Sequence, residues 1–227
     1  MMISVSFPVG TFQCNCHILV CPLTGQGVII DPGDEPKKIQ QVLNRIALDL
    51  DKKVSIKFIF HTHAHFDHIG ATRPVKEALL RDHGDDACIC LHRSDKRLYD
   101  FLRLQGAVLL RRYKKPLPVD RFYEADEVIN VGKLTFSVRH TPGHTRGSVC
   151  LLLHENSDIQ CQQILFSGDT LFQNGVGRTD LPGGSTEALV KSIRDRLFVL
   201  DDDTVVYPGH GAKTFIGYER RNNPFVR

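Results

Sequence analysis

Hydrophobic and polar positions along the chain fall into short apolar runs, most closed by a glycine- or proline-containing turn, with amphipathic stretches between them. Residues 16–20 and 27–30 read as strands, the second ending in the turn tripeptide Asp31-Pro32-Gly33. Pro36 suits the first turn of a helix. Ile39, Val42, Leu43, Ile46 and Leu50 then recur at helical spacing, which predicts a helix over 36–50 with its apolar stripe in the core. Residues 56–60 form a continuous apolar run, the pattern of a strand buried on both faces, and 70–80 reads as the next helix. The alternation continues with a strand at 87–91, a helix capped by Ser94 through Leu98, Phe101 and Leu102, and a basic loop over 106–118. Strands follow at 134–138, 149–153 and 164–166. A helix over 186–197 carries Leu189, Ile193 and Leu197 at every fourth position, and 205–207 reads as the last strand. No linker, repeat or low-complexity segment divides the chain, so the expectation is one mixed α/β domain, 1–227, built around sheets with helices outside.

Composition narrows the picture without changing it. A chain of 227 residues, 41% hydrophobic and 24% charged, is ordinary for a globular protein with one substantial core. A formal charge of +3 is too small to imply nucleic acid, and the one basic cluster, Arg111-Arg112-Tyr113-Lys114-Lys115, reads as a solvated face. No apolar run approaches the roughly 18 residues of a membrane-spanning helix, and the first ten residues do not read as a secretory signal. Seven cysteines, Cys88, Cys90 and Cys150 among them in apolar runs, read as core thiols of a reducing compartment. A cytoplasmic or organelle-matrix enzyme is expected, the cytoplasm foremost, with a small-molecule substrate and neither a membrane nor a nucleic-acid partner. Cys14-x-Cys16 and Cys88-x-Cys90 lack the second compact Cys/His pair of a zinc finger.

The chemistry is concentrated at strand ends. Thr62-His63-Ala64-His65-Phe66-Asp67-His68 follows the apolar run 56–60 and offers three imidazoles and a carboxylate, a set that suits zinc, iron or manganese. If the segment leaves the strand extended, His63, His65 and Asp67 share one side and His68 faces the other. One ion would exhaust two or three of these groups, so a fourth hints at a second metal. His144, Asp169 and His210 each stand on a glycine-containing turn after an apolar run, in Thr141-Pro142-Gly143-His144, Ser167-Gly168-Asp169 and Pro208-Gly209-His210. Loops at one end of a sheet are where sites are assembled, because the strands hold them rigidly. His17, His61, His83, His92, His140 and His154 lack that context and read as satisfied polar side chains, though His61 and His140 lie near the loops.

With these residues in view, the chain resembles the metallo-β-lactamase-fold hydrolases, and most closely the small bacterial glyoxalase II-like (hydroxyacylglutathione hydrolase) proteins. His63-x-His65-x-Asp67-His68 is similar to the family's defining motif. Thr141-Pro142-Gly143-His144-Thr145-x-Gly147-Ser148, Phe166-Ser167-Gly168-Asp169 and Tyr207-Pro208-Gly209-His210-Gly211 resemble its later ones, in the same order. The resemblance implies an αββα sandwich, two mixed sheets flanked by helices, with metals at one edge. It implies that His63, His65 and His144 bind a first cation, that Asp67, His68 and His210 bind a second, and that Asp169 bridges them. Zinc is the foremost expectation, with iron and manganese also suited to the set.

The resemblance also bears on the reaction. Residues 175–185 and the tail Glu219-Arg220-Arg221-Asn222-Asn223-Pro224-Phe225 are similar to those of the glyoxalase II-like hydrolases. The implied activity is hydrolysis of S-D-lactoylglutathione or a related small acyl thioester by a hydroxide held between the two cations. Asp169 would fix the metal spacing and Asp67 would orient the nucleophile. Gly177-Arg178-Thr179-Asp180 also resembles the loop of the persulfide dioxygenases, which would hold a single iron through His63 or His65, His144 and Asp169. Arg178 is therefore a candidate substrate contact, against the plainer reading of an ion pair with Asp180. Glyoxalase II itself continues into a helical C-terminal domain that supplies much of the glutathione contact, and residues 211–227 leave no room for one. Glutathione recognition is then expected from residues 111–115 or from the tail arginines.

Overall fold

The computed structural model of the chain describes residues 1–108, 110–124 and 126–226. Two six-stranded sheets form its middle. The first runs β1 (Ile3–Val9), β2 (Cys14–Val20), β3 (Gln26–Ile30), β4 (Ser55–Phe60), β5 (Cys88–Leu91) and β6 (Arg121–Phe122). The second has the order β14 (Thr214–Phe215), β13 (Val205–Pro208), β10 (Ile164–Gly168), β9 (Val149–Leu153), β8 (Leu134–His140) and β7 (Val128–Val131). β11 (Leu171–Phe172) and β12 (Gly175–Val176) form a separate hairpin.

The strand alternation explains the layering. In β2, Leu19 points between the sheets, whereas Ile18 and Val20 point outward. Leu19, Val28, Ile30 and Phe60 of the first sheet meet Phe136, Val138, Leu151 and Phe166 of the second in one buried cluster. The outer face of the first sheet is covered by α1 (Pro36–Leu50) and α3 (Thr72–His83), through Ile39, Leu43, Ile46, Val75 and Leu79. α6 (Thr186–Ser192) and the π turn after it cover the second through Leu189, Ile193 and Leu197. Each fully buried Leu or Ile of this kind contributes about 1.5–3 kcal/mol. The result is the αββα sandwich. No helix among the described residues is long and apolar enough to cross a membrane. All seven cysteines are unpaired and, except for half-buried Cys88, buried.

Register sets the working edge. Ile30 pairs with Phe60 and Phe60 with Cys90, in parallel, so β3, β4 and β5 end level. β10 runs parallel to β13 and antiparallel to β9, which is antiparallel to β8. The C-terminal ends of β8, β10 and β13 therefore face the same way. Asn15 N–H donates to the Gly209 carbonyl (2.7 Å), joining the start of β2 to the turn after β13 and bringing the two sheets together at that edge.

Several boundaries differ from the sequence expectation. β1 was missed: its half-exposed alternation and Pro8 are those of an edge strand, where a missing N–H costs little. The expected helix over 70–80 is α2 (Phe66–Ile69) followed by α3. Ser94 is not a helix cap; it lies inside a 3-10 turn, Arg93–Asp95, whose cap is His92, and α4 (Lys96–Asp100) follows. α5 (Leu102–Val108) runs past Gly106 into the expected loop 106–118, of which residue 109 lies outside the described residues. The helix expected over 186–197 becomes a π turn from Ile193, and β14 and α7 (Ile216–Asn222) follow the strand expected to be last.

Candidate metal centre

The histidine loop leaves β4 at Phe60 and stays extended only as far as His65, the N-cap of α2. His68 and Ile69 N–H both donate to the His65 carbonyl. Asp67 and His68 thus sit on a helical turn, and the expected strand parity ends at His65. The helical turn, with its 3.6-residue period, is what presents Asp67 and His68 side by side.

All seven sequence-predicted donors converge. His63, His65 and His144 form one group with ligand atoms within 4.8 Å of one another; Asp67, His68 and His210 form a second; His63, His68 and Asp169 form a group that links the two. His65 Nδ1 lies 3.1 Å from His63 Nε2 and 2.9 Å from His144 Nε2. His68 Nε2 and His210 Nε2 are 3.3 Å apart, and His210 Nε2 is 3.3 Å from Asp67 Oδ2. Asp169 stands between the triads, with Oδ1 3.4 Å from His68 Nε2 and Oδ2 3.5 Å from His144 Nε2 and 3.7 Å from His210 Nε2. Gly209 is required here, because a Cβ at that position would lie 2.3 Å from Asp169 Oδ1.

The outer hydrogen bonds fix which nitrogens face inward. His144 Nδ1 is 2.8 Å from the Arg178 carbonyl and His210 Nδ1 is 3.0 Å from the Phe12 carbonyl. A carbonyl only accepts, so each Nδ1 carries the proton and each Nε2 presents a lone pair. His68 Nδ1 donates likewise to Asp31 Oδ2 (3.0 Å). The Thr62 hydroxyl donates to Asp31 Oδ2 (2.6 Å) and so accepts from His63 Nδ1 (3.1 Å). One buried carboxylate, Asp31 at 1% exposure, therefore orients a histidine in each triad.

The electrostatics favour positive charge at this point. Burial works against the His68 imidazolium, but Cys14, Asp169, Asp31 and Asp67 outweigh it and hold its pKa well above the usual range. Burial works against the Asp169 carboxylate as well, yet His68, His144 and His210 hold it well below the usual range, so it stays ionised. His63 and His65 are pushed down, by burial first and neighbouring imidazoles second, His65 to about 4, which keeps them neutral. Neutral imidazole is the metal-binding form. Asp169 Oδ1 is buried with no hydrogen bond, and a proton on His65 Nδ1 could serve only one of the two lone pairs facing it. A cation in each triad satisfies these groups, so the donor set fits, and the His/Asp clusters suggest a dinuclear metal site.

Two contributors escaped the sequence reading. Asp31 stood at a strand end on a turn, the same pattern as the other donors, but was read as turn chemistry. Asp95, also 1% exposed, accepts from Ala64 N–H, the Thr145 hydroxyl and Gly147 N–H, locking the two histidine loops together. Of the other histidines, His61 is buried with Nε2 at the Thr72 hydroxyl (3.1 Å), but its Nδ1 has no hydrogen-bond partner, so it is not a fully satisfied polar residue. The Arg178 side chain points into solvent and pairs with Asp180 through two hydrogen bonds, 2.8 and 2.7 Å. Arg111 pairs with Asp34 at 2.7 Å, and the tail residues Arg220 and Arg221 both reach Asp202.

Comparison with known proteins agrees with this geometry. The family model described as "Metallo-beta-lactamase superfamily" matches residues 9–210. The hydroxyacylglutathione hydrolase GloC of Haemophilus influenzae is 35% identical over 96% of this chain and 95% of its own. Among solved structures, the B3 metallo-beta-lactamase BLEG-1 superimposes with a TM-score of 0.82 at 33% identity, covering 99% of each chain. TTHA1623, solved in a di-iron-bound form, gives a TM-score of 0.79 at 36% identity over 97% of this chain and 99% of its own.

Proposed function

Because this chain belongs to the metallo-beta-lactamase superfamily, we propose that it is a dinuclear metal-dependent hydrolase that cleaves a glutathione-linked thioester, S-D-lactoylglutathione or a related small acyl thioester. The observation that carries the reading is the complete second triad, Asp67, His68 and His210, beside the first. The likeness to a protein named hydroxyacylglutathione hydrolase supports the substrate class. Residues 1–227 work in this reading as one domain, in the cytoplasm, with no nucleic-acid or membrane partner.

His63, His65 and His144 would hold one cation, Asp67, His68 and His210 the other, with Asp169 shared. Bound there, divalent ions such as zinc, iron or manganese lower the pKa of water towards neutrality and polarise a carbonyl. The protein's own residues do the positioning. Asp169 would span the two triads and fix their separation, while Thr62, Asp31 and the carbonyls of Arg178 and Phe12 hold the imidazoles of His63, His68, His144 and His210 in their working tautomers. Asp67, whose Oδ2 lies 3.3 Å from His210 Nε2 and 3.9 Å from His68 Nε2, would orient the attacking water. A thiolate is a good leaving group, so no dedicated general acid is needed.

A single-iron persulfide dioxygenase is the alternative, favoured by the Gly177-Arg178-Thr179-Asp180 loop against His144. The test is an anaerobic assay of thiol release from S-D-lactoylglutathione, run beside an oxygen-electrode assay with glutathione persulfide and a β-lactam hydrolysis assay. Thiol release without oxygen is the expected result. Oxygen uptake with no thioester cleavage would install the dioxygenase, and turnover of the β-lactam alone would install a lactamase.

A further inference from the structure

A thioesterase of this kind needs a place for the thiol half of its substrate, and the arginines expected to supply it are engaged. Arg111, Arg178, Arg220 and Arg221 each meet a carboxylate at 2.9 Å or less. A different region has the required character. A cavity of about 380 Å³ opens beside the first triad, between α4 and the loops that follow β8 and Arg178, lined among others by Arg97, Leu98, Phe101, Thr145, Arg146 and Gly183. Its volume is in the range of small-molecule sites.

Two of its walls are built from the ligand loops themselves. Thr145 follows His144 directly and is held by Asp95 at 2.8 Å. Gly183 lies on the loop whose Arg178 carbonyl orients His144. Arg97 and Arg146 line the space from either side. Among the described residues no carboxylate lies within ion-pair distance of either guanidinium. Arg97 lies 5.5 Å from the Phe101 ring centroid, and Arg146 runs alongside Gly183, whose Cβ position would be 3.6 Å from Arg146 Cγ. Asp95, the acid in the wall, is turned inward and consumed by three donors. Two guanidiniums without an ion-pair partner among the described residues thus line the cavity, together with Leu98, Phe101 and the inward-turned Asp95, beside the loop that carries His144.

We propose that this cavity receives the thiol half of the substrate and that Arg97 and Arg146 are the residues that bind its carboxylates. The proposal rests on the thioesterase reading for its substrate but is tested without turnover. S-Methylglutathione, whose thioether cannot act as a thiolate ligand, is titrated calorimetrically into metal-replete protein. Saturable binding is expected. Arg97→Gln and Arg146→Gln should each weaken it about tenfold, the loss of one charged hydrogen-bonding group. The diester of the same compound should bind the unaltered protein at least that much more weakly. Arg93→Gln, at an arginine stacked on Phe122 (4.2 Å), should change nothing.

Absence of saturable binding, unchanged affinity in both variants, or equal affinity for the diester would overturn the proposal. So would a fall in metal content in either variant, which would assign these arginines to the ligand loops instead. Thioester cleavage is scored separately. Binding through Arg97 and Arg146 without cleavage of any thioester upholds the cavity and removes the hydrolase reading; cleavage that is indifferent to both substitutions does the reverse.

Discussion

The two triads around Asp169 use the same residue types but are built differently. The first, His63, His65 and His144, is all imidazole, with His63 and His144 buried, and draws its ligands from two loops that Asp95 ties together. The second, Asp67, His68 and His210, carries a carboxylate of its own, takes two ligands from the turn of α2, and leaves His210 28% exposed. The first triad has no carboxylate of its own and would rely on Asp169 for an anionic ligand, whereas the second would have Asp67 as well, with Asp31 hydrogen-bonded behind His68. Carboxylates are therefore distributed unequally on the two sides of Asp169, and the two halves should fail in different ways.

Removing the bridge tests the dependence common to both. Asp169→Ala should leave the protein folded, because the carboxylate's charged neighbours are all ligand histidines, but metal content and thioester turnover should fall together. Losing electrostatic stabilisation from even one cation costs several kcal/mol, on the order of a hundredfold or more in rate. Elemental analysis of unaltered, metal-replete protein should approach two equivalents per chain. Near-normal metal and activity in the variant would mean that the triads do not share Asp169.

A smaller change separates the halves. His210→Ala removes a ligand from the second triad alone, so metal content should settle near one equivalent while the first triad stays filled. Two equivalents retained would take His210 out of the site. Smaller again is Asp31→Asn, which keeps the shape but places an amide where His68 Nδ1–H needs an acceptor. Loss of such an orienting partner costs about 10- to 100-fold in metal affinity. That loss should appear in a competitive metal titration at the second triad, with a weaker effect at the first, which Asp31 reaches only through the Thr62 hydroxyl. Equal losses at both would erase the distinction drawn above.

A mixed domain of sheets with helices outside and donors gathered at strand ends were legible through local rules, whereas the αββα layering and the grouping of the seven donors were implied by the family resemblance. Apolar runs at strand spacing gave β2, β3, β4, β9 and β10, and a donor on a glycine turn marks a strand end whatever lies across the sheet. What could not be read depends on partners distant in the chain. Asp31 looks like any Asp-Pro-Gly turn until β4 is laid beside β3 and Thr62 reaches it. Asp95 sits in a segment with no motif, and only the fold brings Ala64 and Gly147 to it. β1 has the weak alternation of an edge, and the helical turn at Phe66 overrode an extended reading that the alternation of His63 and His65 had suggested. Whether an arginine is free or paired is likewise a tertiary fact, settled only once Arg111 meets Asp34 and the tail arginines meet Asp202.

The smallest expected effect concerns Arg178, where side chain and backbone have separate tasks. The guanidinium is 60% exposed and closed on Asp180, an exposed ion pair of the kind that contributes little to stability. The carbonyl of the same residue orients His144 and belongs to the first triad's support. Arg178→Gln removes the ion pair and leaves the carbonyl in place, so metal content should be unchanged and turnover should stay within about threefold of the unaltered protein. His83→Ala, at the end of α3 away from both triads, gives the baseline for a neutral change. A loss of turnover in Arg178→Gln well beyond that baseline, with metal content intact, would make the guanidinium a substrate contact after all. A loss of metal from the first triad alone would instead show that the ion pair with Asp180 holds the carbonyl in register.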